Sequence, residues 1–83
     1  MRALQLEAVH ARAVKIGRRS KNRLASTANR LAACNVDAVI LDIVSHLKPG
    51  AWDLSDAEII EICAARLWLD FCLAEQRLAC VGY

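Results

Sequence analysis

Aromatic residues are scarce in this 83-residue chain: two tryptophans, one tyrosine and one phenylalanine, or 5% of the sequence. A core must therefore come mainly from Leu, Ile, Val and Ala, the bulk of a composition that is 57% hydrophobic, and that mixture favours helices. One proline and three glycines leave little room for long loops or a disordered linker. No repeat and no linker is visible, so a single helical domain over 1–83 is expected. Long apolar runs are missing too. Ala38 to Val44 is broken by Asp42, and nothing approaches the roughly 20 residues a membrane span requires. Met1-Arg2-Ala3-Leu4 does not open a compact apolar stretch with a small-residue cleavage site, so no secretory signal is expected and the cytoplasm is the default.

Motifs of chemistry are missing as well. There is no glycine-rich phosphate loop, and no pair of carboxylates shares an apolar face. His10, His46 and the four cysteines stand in no C-x2-C or H-x3-5-H arrangement that would bring zinc ligands together. A cysteine on an apolar helical face is usually a small core residue. No catalytic residue, metal or cofactor is expected, and an enzyme is not. Cys63, Cys72 and Cys80 fall in one predicted helix at spacings of 9 and 8. At about 1.5 Å per residue, neighbours are about 12 Å apart or more, beyond disulfide reach. Reduced thiols are expected, with only a bridge from Cys34 or one between chains geometrically open.

Three helical segments are present in the pattern. From about Arg2 to Ala33, Leu6, Val9, Ala13, Ile16, Leu24 and Leu31 trace one face, with Ser20 and Thr27 in the same stripe. Gly17 is the weak point, because glycine costs a helix interior roughly 1 kcal/mol relative to alanine, and it is where this helix is expected to split if it splits at all. Asn35 is a candidate cap for a second helix, in which Val36, Val39, Ile40, Ile43, Val44 and Leu47 recur at helical spacing. Lys48-Pro49-Gly50 ends it, since proline cannot continue the hydrogen-bond ladder. Ser55-Asp56-Ala57-Glu58 matches a capping box, with Leu54 and Ile59 placed as a hydrophobic staple. The helix after it, about Asp56 to Ala79, has an apolar face at Ile60, Cys63, Ala64, Leu67, Phe71, Ala74 and Leu78. A second set, Ile62, Leu69, Leu73 and Cys80, lies on the other side. A helix apolar on two faces is normally buried on both, which predicts either a central position or a homodimer seam.

Charge is divided unevenly. Residues 1–33 hold eight Lys or Arg against Glu7 alone, whereas residues 34–83 hold three against eight acids. Arg12, Lys15, Arg18, Arg19, Arg23 and Arg30 wind onto the side opposite the apolar stripe, with Lys21 in the same run. Such a face is an electrostatic footprint for nucleic acid, an anionic membrane surface or an acidic protein patch, or else a solvated face that pairs with the acidic helices of its own fold. It has no interleaved aromatic and no recognised nucleic-acid motif. Trp52 is expected to lid one end of the helices. Trp68 sits between the two apolar faces of the third helix and is expected at the edge, partly exposed; with Leu69, Cys72 and Leu73 it forms a candidate interface.

The expected architecture is all-α: a small three-helix bundle, or a four-helix one if Gly17 divides the first helix, dimerising through the third. The expected function is that of a small non-catalytic regulatory or inhibitory protein, of the kind phages and plasmids encode as accessories, acting on a protein partner. A nucleic-acid-binding module using the basic first helix and a structural homo-oligomer subunit are the alternatives.

Overall fold

The structure, a computed structural model, describes residues 5–19 and 25–81, without the side chains of Ala25 and of 78–81. Among these residues it is all-helical. Four α-helices follow in order: α1 (Leu6–Arg19), α2 (Ala25–Ala33), α3 (Asp37–Ser45) and α4 (Asp56–Val81), with a 3-10 turn over Pro49–Asp53 between the last two. The molecule measures 44 × 24 × 19 Å. At 1.5 Å per residue the 26-residue α4 is about 39 Å long and accounts for the long axis.

The last helix is the hub. It packs chiefly on α1 and also meets α3 and α2, while α1 additionally contacts α2 and α3. The core follows from these contacts: Val9, Ala13 and Val14 of α1, Ala28 and Leu31 of α2, Ile40 and Ile43 of α3, and Ile59, Cys63, Ala64, Leu67 and Trp68 of α4 are buried together with Val36. Trp52, in the 3-10 turn, is partly buried against this cluster.

The expected first helix over 2–33 is two helices, and the division is not at Gly17. Helix α1 runs through Gly17 to Arg19, and α2 starts at Ala25. Gly17 has a different task. A Cβ there would stand 2.5 Å from two atoms of the Trp68 ring, far inside van der Waals contact. The bare backbone at Gly17 is what lets the six-membered ring of the Trp68 indole sit against α1, so the helix-propensity penalty is offset by close packing between the two most extensively joined elements.

The boundaries follow local hydrogen-bond chemistry. Ser55 Oγ accepts from the Glu58 N–H at 3.3 Å and donates to the Glu58 carboxylate at 3.0 Å. Leu54 is partly buried and Ile59 wholly buried, completing the staple. At α3 the first non-helical position is Val36, and the Asn35 side chain accepts from the Asp37 N–H at 3.2 Å. Two further links fix α2. The His10 Nε2 donates to the Leu31 carbonyl at 2.7 Å, tying α1 to α2. Arg30 donates to the Glu75 carboxylate at 2.6 and 2.7 Å and to Thr27 Oγ1 at 3.2 Å, tying α2 to α4.

Candidate functional site

Two surfaces were legible as candidates, the basic face of the first segment and the second apolar set of the last helix. The basic face is thinned by the fold itself. Arg12 forms a two-point pair with Glu61, its Nη2 at 3.0 Å from Oε1, and Arg30 is held by Glu75. The two acids sit on the flank of α4 that meets α1 and α2. The Arg12 hydrogen bonds hold the Glu61 carboxyl below its ordinary value, and Arg30, with help from the Thr27 hydroxyl, does the same for Glu75. Lys15, Arg18 and Arg19 are exposed at the end of α1. Lys21 and Arg23 lie outside the described residues.

These pairs are open to solvent, so each contributes little on its own and salt weakens it. They nonetheless make stability depend on acid. A carboxylate whose native value is lowered stabilises the fold above its unfolded value, near 4.5 for glutamate, and that contribution disappears as pH falls through the lowered native value. The Tm is therefore expected to drop on acidification below about pH 4.5, and to drop less steeply in Glu61→Gln and Glu75→Gln proteins, which start lower at pH 7. Thermal melts followed by circular dichroism at pH 7, 5, 4 and 3 check this; parallel curves for all three proteins would show that the pairs have no thermodynamic role.

On the side of α1 that carries Arg18 lies a groove of about 300 Å³ between α1 and α2. Ala11, Val14 and Ala32 give it an apolar lining, Arg18 stands on it, and Glu7 and His10 complete it. Both signs of charge therefore meet on a small apolar surface. Sequence reasoning missed this groove, because Ala32 meets α1 only through the packing of α2 on α1.

The other candidate surface sorts differently from expectation. Trp68, expected at the edge, is 9% exposed because its ring is spent on Gly17, and Cys72 is half-buried. Leu69 and Leu73 are exposed by 52% and 46%, and Ile62, a turn and three residues before Leu69, by 43%. They line the back of α4, on the side away from Leu67 and Cys63 when wound at 100° per residue. Between this face and α3 runs a second groove of about 480 Å³, lined by Asp42, Ile43, His46, Leu47, Ile62, Arg66 and Asp70. Arg66 and Asp70 form an i,i+4 pair at 3.1 Å there, and half-exposed Val39 precedes Ile43 on the same side of α3.

Cys34, Cys63 and Cys72 carry free thiols, and burial pushes those of Cys63 and Cys72 up, away from the reactive thiolate. Among the described residues no group of three His, Cys, Asp or Glu side chains is placed to hold a metal ion, and no helix is long and apolar enough to cross a membrane. In comparisons with known proteins, no family model, no curated protein and no solved structure matches this chain.

Proposed function

We propose that this chain is a small non-catalytic regulatory or inhibitory protein that works by binding another protein, and that its contact surface is the groove between α1 and α2 that carries Arg18, with Lys15 and Arg19 exposed on the same end of α1. The observation that carries this reading is the groove's mixed character. Ala11, Val14 and Ala32 offer apolar area, Arg18 a planar guanidinium, and Glu7 a carboxylate on the same small surface. Protein interfaces combine an apolar centre with a rim of both charges, and arginine is enriched in them. A polyphosphate backbone is served poorly by the same arrangement, because Glu7 repels it and Arg12 and Arg30 are already committed to Glu61 and Glu75.

The nucleic-acid alternative then rests, among the described basic residues of α1, on Lys15, Arg18 and Arg19. Three phosphate contacts imply a salt slope near −2.7, so a fourfold rise in salt weakens binding about 40-fold. The full set of six or more contacts expected from the sequence would have cost several powers of ten.

A photoreactive phenylalanine analogue placed at Ala11, on the groove and exposed, tests the reading in cells of the source organism. The expected result is one discrete adduct that protease destroys, nuclease leaves intact and Arg18→Glu abolishes. A nuclease-sensitive adduct, or none above the level seen with the photoreactive group at exposed Gln76 on α4, would overturn it.

A further inference from the structure

We propose that two copies of this chain pair through the back of α4, antiparallel about a two-fold axis that passes midway between positions 67 and 68. Ile62, Arg66, Leu69 and Leu73 recur at steps of four, three and four, the spacing of a seam between two helices. The three apolar members are each about half exposed in the single chain. The occupant follows from the one charged member. A parallel pairing sets Arg66 directly against Arg66 of the second copy, a like-charge contact at the centre of the seam. The antiparallel pairing sets Ile62 against Leu73 of the second copy and Arg66 beside its Leu69, where the guanidinium, already paired with Asp70 of its own chain at 3.1 Å, uses its remaining N–H donors on Asp70 of the second copy. Because the axis is two-fold, that ion pair forms twice.

The stripe is therefore complementary to itself in one orientation only. Its apolar stem lets Arg66 cover Leu69 while keeping its charge at the rim. The groove between α3 and α4 supplies the socket: Leu73 of the second copy arrives next to Ile62, at the opening lined by Ile43 and Leu47. Val39 widens the apolar area on the α3 side. From Ile62 to Leu73 the seam is only about 17 Å long, so α4 alone falls short of a standard interface of about 1,200 Å² and α3 must take part. A dimer in concentration-dependent exchange with monomer is the consequence.

Sedimentation of the reduced 83-residue chain across a wide concentration range tests the pairing. The expected result is a shift from 9.1 kDa to twice that mass, abolished by Leu69→Glu without loss of helical circular dichroism, since Leu69 is outside the core. Arg66→Asp and Asp70→Arg alone are each expected to weaken the dimer about tenfold, by placing like charges together twice, and the double variant to regain most of that loss. A chain that stays monomeric throughout, or a dimer indifferent to Leu69→Glu, overturns the proposal. A dimer sensitive to Leu69→Glu that the charge exchange does not rescue overturns the antiparallel register.

Discussion

Replacement of Trp68 by alanine is expected to remove about 3–5 kcal/mol of folding free energy, the largest loss available from one side chain in this protein. The ring is 9% exposed and spans the joint between α4 and α1. Truncation leaves a cavity against Gly17, which has no side chain of its own to lean into the space. A domain of this size has about 4–12 kcal/mol in total, and each kcal/mol is worth roughly 4–8 °C in Tm. The variant is therefore expected to melt about 12–40 °C lower, or to be largely unfolded at 25 °C, in urea and thermal titrations followed by helical circular dichroism. A loss under 1 kcal/mol would mean that the indole is not seated in the core. Trp52 keeps a fluorescence signal in the variant, so the two tryptophans can be told apart by the emission that disappears.

The second large effect has an unusual sign. Changing glycine to alanine inside a helix ordinarily stabilises by about 1 kcal/mol. At Gly17 the added methyl meets the Trp68 ring at 2.5 Å, and overpacking a core costs about 1–3 kcal/mol. The ring is the far end of a side chain, but it is hemmed in by buried neighbours and cannot retreat freely. Gly17→Ala is expected to be net destabilising by up to about 2 kcal/mol, and Gly17→Val by more. In a Trp68→Leu background the same alanine is expected to become neutral or stabilising, giving a coupling energy of about 2 kcal/mol in a four-protein urea cycle. A stabilising Gly17→Ala in the native background would show that the helix propensity of residue 17, and not the ring, decides its identity.

What could be read in the sequence was what neighbours along the chain decide. The Ser55 capping motif and the stop at Pro49 are local chemistry, and the structure places them where the pattern does. Of the expected α4 stripe Cys63, Ala64 and Leu67 are buried and Ile60 and Phe71 partly so, whereas Ala74 is exposed and Ile59 and Trp68 join the core instead. The division between α1 and α2 was not legible in that way: no proline falls between Ala13 and Thr27, and the apolar stripe continues through Ser20. Gly17, the one conspicuous irregularity, drew the break to itself, although its partner is a ring 51 positions further on, beyond the reach of any periodicity. Arg12 and Arg30 were misjudged for the same reason. A helical wheel shows which side they occupy, but not that Glu61 and Glu75, 49 and 45 residues away, come to meet them. The exposed apolar set on α4 was visible as a pattern. Its exposure in the single chain could be known only once α1, α2 and α3 had all been placed on the opposite side.

That arrangement bears on the order in which the protein can take shape. The most extensive packing in the core runs from α1 to α4, followed by α1 to α2, and α4 comes last in the chain. While α4 is still inside the ribosome, Val9, Ala13 and Ile40 have no surface large enough to cover them, and α2 and α3, at nine residues each, are too short to persist alone in water. The nascent chain must therefore remain open until most of α4 has emerged. Its folding then depends on contacts distant in sequence, and a stop codon before position 59 would remove every α4 side chain of the core, Ile59, Cys63, Ala64, Leu67 and Trp68.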